Sequence, residues 1–333
     1  MRLPAELLDA IQRETDKVDR RKLVQATTQL AEYYKAADFS TPAIATEAQR
    51  AAYLAVRLPA TFGAARRVFS EIRSRAPHAD VGSLLDLGAG PGTALFAAVE
   101  EFQTLQQATL LEADAQWLTL GKRWAAQIQL PIAQEAQWLQ QDLRSGLTCK
   151  AHDLVVISYA LGELPQAAAE AVLRKAWSCA SKFLVLIEPG TRRGFAAVNA
   201  ARSALIANAA MIVAPCPHQS ACPMAAAGDW CHFSQRLERT SQHRQLKGGE
   251  LGYEDEKFSY LIAAKAGVLQ GDVLPSQPRI VRHPGKHSGH VQFSLCTPQG
   301  GIVSRTVTRS SKAAYKAARK AEWGDTWPDS TMA

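Results

Sequence analysis

The stretch LLDLGAGPG, residues 84–92, decides the fold. A short apolar run ends in a loop that places Gly88, Gly90 and Gly92 ahead of TALFAAVEEF, which has the composition of a helix. Glycine is needed there because the chain turns sharply and a ligand must approach its backbone. The amides at the helix start then face whatever binds. Downstream, ATLLEAD, AHDLVVISYA and KFLVLIEPG recur at intervals that leave room for helices, and EAQWLQQDL is a weaker strand candidate between them. Strands alternating with helical segments predict a parallel α/β sheet with crossover helices. KFSYLIAAK (257–265) and HVQFSLCTP (290–298) read as the last two strands of that same sheet.

Two ligand classes use such a loop. The dinucleotide pattern needs its third glycine one place later, where Thr93 stands. The spacing Gly-x-Gly-x-Gly after an acidic residue resembles class I (Rossmann-like) methyltransferases that bind S-adenosylmethionine. That resemblance implies that Glu112, ending the second strand, holds the ribose hydroxyls. It places Asp142 near the adenine amine and Asp86 near the methionine part. For turnover the sequence offers less. The Asn/Asp-Pro-Pro-aromatic loop of base-nitrogen methylation is absent, since the fourth strand runs into SYALGELP. Glu163 stands where a base or a helix-start acid would stand. No catalytic residue is assigned.

A second cluster is CPHQSACPMAAAGDWC, residues 216–231, with Cys296 further on. Thiolates suit soft metals, and four complete a site for zinc or an iron–sulfur cluster. The gaps between Cys216, Cys222 and Cys231 exceed the tight pairs of zinc sites, and two Cys-Pro steps resemble ferredoxin-type ligation. A [4Fe–4S] cluster is therefore the expected group, with zinc as the alternative and His218 or His232 as substitute ligands in that case. The segment has little apolar material of its own, so a metal would supply folding free energy. Cys149 and Cys179 read as unrelated thiols.

Residues 1–76 place apolar residues at helical spacing and form an expected N-terminal helical region. The Rossmann-like domain is expected over 77–304, with a cysteine-rich, metal-binding insertion at 212–250 and a basic tail at 305–333. With 333 residues and 47% hydrophobic content, size does not limit the core. The formal charge of +7 is compatible with a polyanionic partner. Three basic runs carry it: Arg236 to Lys247, Arg279 to His290, and Lys312, Lys316, Arg319 and Lys320 on one helical face. Each alone is ordinary solvated surface; three around one metal site point to a phosphate backbone. The first residues lack the apolar run of a secretory signal, and Glu6, Asp9, Glu14 and Asp16 argue against a mitochondrial presequence. A cytoplasmic, reducing compartment is expected, with no membrane span and with cysteines as free thiols or metal ligands.

Several of these segments together resemble one family. AYLAVRLPATFGA, LLDLGAGPGTALFAA, YALGEL, WCHFSQRLER, HPGKHSGHVQFSLCTPQG and YKAARKAEWGDTWP are similar to the methyltransferase-like assembly factors of the small ribosomal subunit. The resemblance implies a class I methyltransferase fold and association with small-subunit rRNA. It also implies a [4Fe–4S] cluster on Cys216, Cys222, Cys231 and Cys296. It leaves two functions open: methylation of rRNA, or non-catalytic assembly with the pocket kept as a structural or sensing element. The chain is expected to act as a monomer.

Overall fold

Period-two alternation sorts the central strands onto two faces. Leu84, Leu154, Val156, Phe183 and Val185 belong to one apolar cluster; Leu85, Leu87, Val155, Ile157, Leu184 and Leu186 belong to another. Strands buried on both faces read as continuous apolar runs, and both clusters are covered by helices. The computed structural model describes residues 1–36, 44–269 and 277–328. The end of the expected tail, 329–333, lies outside them.

Four helices lead: α1 (Ala5–Thr15), α2 (Arg20–Ala36), α3 (Glu47–Val56) and α4 (Leu58–Arg75). There follow β1 (Ser83–Leu87), α5 (Thr93–Glu101), β2 (Gln107–Glu112), α6 (Ala115–Ile128), α7 (Pro131–Glu135), β3 (Gln137–Gln140) and β4 (His152–Ser158). After α8 (Gln166–Cys179), β5 (Ala180–Pro189) and α9 (Arg192–Ala207) come β6 (Met211–Ala214), α10 (Pro223–Ala226), β7 (Phe233–Glu238), α11 (Ser241–Lys247) and β8 (Tyr253–Ala264). The chain closes with β9 (Arg279–Ile280), β10 (Gly285–Lys286), β11 (His290–Cys296), β12 (Ile302–Thr308) and α12 (Lys312–Lys320).

The main sheet runs β3-β2-β1-β4-β5-β8-β6, with β7 also on β8. Strands β1 to β5 are parallel, and β8 is antiparallel to β5. The order reverses between β1 and β4, and open α/β sheets bind ligands outside the strand ends at such a switch point. Helices α4 and α5 pack on one face and α8 and α9 on the other.

Two expectations need correction. HVQFSLCTP does not extend the main sheet: β11 sits in a second, antiparallel sheet with β9, β10 and β12. Strand propensity alone does not say which sheet a segment joins. The cysteine segment joins the main sheet at both of its edges. β6 pairs Ile262–Ala264 and β7 pairs Tyr253–Phe258, so both edges of the segment are woven onto β8. Finally, Cys149 and Cys179 are joined as a disulfide, not free. β4 and β5 are parallel neighbours, with His152 opposite Ala180. That register brings the loop before β4 beside the end of α8, an approach hidden by a separation of 30 residues.

The second sheet has its own core, in which Val291, Phe293 and Leu295 pack with Ala318 of α12 and with Trp327. One buried ion pair ties it to the body. Arg279 Nη1 and Nη2 donate to Glu71 Oε1 and Oε2 of α4 at 2.9 Å each, and Arg279 Nε donates to the Pro215 carbonyl at 3.2 Å. Burial alone would raise the Glu71 carboxyl, but Arg279 holds it down to about 2.

Candidate functional site

The glycine loop is a cradle built from backbone. Gly88, Gly90 and Gly92 all have φ in the left-handed region, at 76°, 55° and 89°. A Cβ on Gly88 would lie 2.8 Å from Ala160 Cβ, and one on Gly92 would lie 2.7 Å from the Trp138 ring. A Cβ on Gly90 would meet nothing within 4 Å, so this glycine faces open space. The Gly88 and Ala89 N–H groups donate to the Leu111 carbonyl at 2.9 and 3.0 Å, which fixes the loop against β2.

Glu112 ends β2 and accepts from the Gly90 N–H at 2.8 Å and the Asp114 N–H at 3.0 Å. Asp86 is fully buried, and its Oδ2 has no hydrogen-bond partner. Burial, with the Glu112 charge added, pushes Asp86 up to about 7. Glu163 and Glu188 are also pushed up to about 7, chiefly by burial. Asp142 is set apart from this group. It is partly exposed, caps a short 3-10 turn and pairs with Arg144 at 2.7 Å, which holds its carboxyl below the usual range.

Sequence reasoning missed the residues on the other side of this pocket. Tyr159 follows β4 with φ of 56°, unusual for a residue with a side chain. Its N–H donates to the Ile187 carbonyl at 2.7 Å and its hydroxyl to Glu256 Oε1 at 3.0 Å. The Arg57 guanidinium carbon lies 5.2 Å from the Tyr34 ring centre and 5.8 Å from that of Tyr159, with Arg57 Nη1 3.5 Å from Glu256 Oε2. AYLAVRLPATFGA, which holds Arg57, and YALGEL, which holds Tyr159, were singled out in the sequence without a role for either residue, and Glu256 comes from the start of β8.

The four clustered-cysteine candidates line one cavity, together with His218, Arg202, Met224, Tyr260 and Arg279. Cys216 and Cys222 lie in the loop leaving β6, Cys231 precedes β7, and Cys296 ends β11 of the other sheet. All four are free thiols. Burial and the neighbouring sulfurs push Cys231 up, and Cys296 up to about 12. His218 Nε2 lies 3.4 Å from Cys296 Sγ, and Arg202 donates to the His218 carbonyl at 2.8 Å. His232 is elsewhere, stacked on Trp230 and edge-on to Trp323. Among the described residues no group of three or more His, Cys, Asp or Glu side chains is gathered closely enough to hold a metal ion.

The basic runs differ in kind. In the first, Arg236 pairs with Asp255, while Arg239, His243 and Lys247 all converge on Glu254. Among the described residues, the second sheet and α12 keep several basic side chains without an acidic partner. Residues 273–321 contain nine Lys and Arg and no acid, leaving 29 basic against 31 acidic residues in the rest of the chain. Arg279 and Arg282 are paired, with Glu71 and Asp229. Lys286, Arg309, Lys312, Lys316, Arg319 and Lys320 enter no ion pair among the described residues. No helix of the described residues is long and apolar enough to cross a membrane.

Known proteins match this chain over different shares of its length. It is 30% identical over 302 residues to the human mitochondrial ribosome assembly protein METTL17, covering 85% of this chain and 63% of that protein. It is 28% identical over 177 residues to the mitochondrial ribosome assembly protein RSM22 of Saccharomyces cerevisiae, covering 35% and 28% of the two chains. This chain thus spans less than two thirds of the length of either relative. Among solved structures, magnesium protoporphyrin IX methyltransferase from Synechocystis with bound SAM aligns at a TM-score of 0.42 and 12% identity, over 72% of this chain and 97% of that one. The precorrin-6y C5,15-methyltransferase of Geobacter metallireducens aligns at 0.39 and 16%, over 60% and 86%. The relatives are mitochondrial proteins, which overturns the expected cytoplasmic address. That expectation leaned on Glu6, Asp9, Glu14 and Asp16, which lie in α1 and at its C-terminal end. A family described as mitochondrial small ribosomal subunit Rsm22 matches residues 47–328, and the chain belongs to it.

Proposed function

We propose that this protein is a small-subunit ribosome assembly factor that binds rRNA, S-adenosylmethionine and a [4Fe–4S] cluster. The observation that carries the reading is the thiol cavity. Four cysteines from two sheets line one space, although their sequence spacing fits no compact single-ion motif. A cubane needs its sulfurs spread around it, so the lack of a tight single-ion group is compatible with it. Buried thiols whose neighbours disfavour the thiolate are also what a cationic iron core would relieve. Cys216, Cys222, Cys231 and Cys296 would hold the cluster, which would lock the second sheet to the β6–β7 edge. His218 and Arg202 would orient the sulfur side.

For the methyl donor, the fit rests on the cradle. Open space at Gly90, the orphaned Asp86 oxygen and the Glu112 carboxylate at the end of β2 suit a nucleoside joined to an amino acid through a sulfonium. Bound there, the sulfonium would supply an electrophilic methyl; the protein's part would be alignment. Asp142 is less suited, because Arg144 already occupies its carboxylate. For rRNA, the support is the acid-free second sheet and α12.

Purification under argon, with an absorbance spectrum and iron and sulfide assays, tests the cluster. The expected result is a brown protein with about four irons per chain. Cys222→Ser should lose the colour and unfold at a lower temperature. Iron content unchanged in that variant would remove Cys222 from the ligand set.

A further inference from the structure

Arg57 sits where an incoming methyl acceptor would be sought. Its guanidinium lies over the rings of Tyr34 and Tyr159 and beside Glu256. These groups come from four elements. Tyr34 is on α2, Arg57 follows α3, Tyr159 follows β4, and Glu256 lies on β8 just past its Phe258–Pro189 pairing with β5. Both Tyr159 and Glu256 are therefore at the carboxyl ends of the parallel strands, the ligand-binding end of such a sheet. Ala160, next to Tyr159, is the residue that crowds Gly88. The cluster thus borders the glycine loop.

The arrangement is specific. Tyr159 keeps a left-handed backbone, a conformation that is strained for a residue with a side chain and survives only where the surroundings impose it. Here the Ile187 carbonyl and Glu256 hold it from both ends. Arg57 Nε is buried without a partner, and Nη1 lies 3.5 Å from Glu256 Oε2. What it satisfies is the box: two aromatic faces and one carboxylate. A planar, nitrogen-rich ring would satisfy the same box. The N1–H and N2–H2 edge of guanine offers a carboxylate two donors, as a guanidinium does, and its ring offers a π-face to tyrosine.

We infer that Arg57 is a resident occupant of the acceptor side of the pocket, filling an aromatic box of Tyr34, Tyr159 and Glu256 that otherwise takes an aminated planar ring. This rests on the donor-pocket reading above and deepens it. With the box filled, the chain holds the donor without an acceptor beside it, which favours an assembly role without methyl transfer.

The test uses the full chain and two probes, methylguanidinium and guanosine. Arg57→Ala empties the box. It should bind both probes at least roughly tenfold more tightly than the wild type, the gain expected of a desolvated cation–π contact with a carboxylate. Adding Glu256→Gln should abolish the gain. Equal binding to wild type and a folded Arg57→Ala protein overturns the inference, as does a gain that survives Glu256→Gln. If Arg57→Ala does not fold, methylguanidinium should restore its circular dichroism; failure to do so also counts against the box. Methyl transfer from labelled donor to rRNA by the wild type would show that the acceptor side is not filled. The probe assay contains no donor. Failure of the wild type to bind labelled S-adenosylmethionine would therefore sink the donor pocket and leave the box standing.

Discussion

The glycine-loop pocket and the thiol cavity both border the main sheet but are assembled by different physics. Asp86, Gly88, Gly90, Gly92 and Glu112 lie on two adjacent strands and the loop between β1 and α5. Backbone hydrogen bonds to Leu111 and from Gly90 set their geometry. The thiol cavity closes only when a second sheet docks, because Cys296 ends β11 while the other three cysteines lie on the β6–β7 edge. A local site survives small shifts between layers. A site made across layers depends on whatever holds the layers together.

The pair that holds them is Arg279 and Glu71, and breaking it should have the largest effect. Arg279→Ala leaves the Glu71 carboxylate buried with only Arg67 and Arg75 at its margin. Removing one partner of a buried pair costs about 3–5 kcal/mol. Chemical denaturation should show a loss of that size, and the iron content should fall with it. Donor binding at the glycine loop should change far less in the protein that remains folded. Equal loss at both sites would erase the distinction between them.

A smaller effect, confined to the pocket, is expected from Asp86→Asn. The Asp86 carboxyl is pushed up to about 7 in the folded state, against about 3.9 in an unfolded chain. Between those values the native protein keeps a proton that the unfolded chain releases. Stability therefore falls as pH rises from about 4 to 7, by up to about 1.4 kcal/mol per unit from this one group. Glu163 and Glu188 act in the same direction. Asp86→Asn should flatten that decline and be the more stable protein at pH 8. Denaturation midpoints measured from pH 5 to pH 8 check this, and parallel profiles for the two proteins would refute it.

The same contrast explains what the sequence disclosed. The strand, glycine loop, helix and Glu112 are legible because each is local and each has a period or a conformational requirement behind it. The helices α1 to α4 and the parallel strands follow from spacing in the same way. What stayed hidden is relational. HVQFSLCTP has the composition of a strand, and nothing in it says that its partners are β9, β10 and β12. Cys149 and Cys179 meet only because β4 and β5 are in register. Arg236, Arg239 and Lys247 looked like a phosphate-binding run until β8 set Asp255 and Glu254 opposite them. Tyr159 carries no mark in the sequence of its left-handed backbone. Charge written along a chain is thus a weaker guide than charge left unpaired by the fold.

That last point gives the smallest effect and the finest test. Lys312, Lys316 and Lys320 recur every four residues on α12 and are exposed. Their replacement by alanine should leave the fold intact, since alanine is the best helix former and no ion pair is lost. If this face meets rRNA phosphates, each contact removed should flatten the slope of log affinity against log salt by ~0.7–0.9. Arg236→Ala with Arg239→Ala removes two positive charges from the first run, but those side chains are held by Asp255 and Glu254. Their loss should leave the slope unchanged, because no counterion-releasing contact disappears. Binding of a small-subunit rRNA fragment, measured across a salt series, separates the two faces. If the slope responds to Arg236 and Arg239 and ignores the α12 lysines, the unpaired charge of α12 is not what the RNA meets.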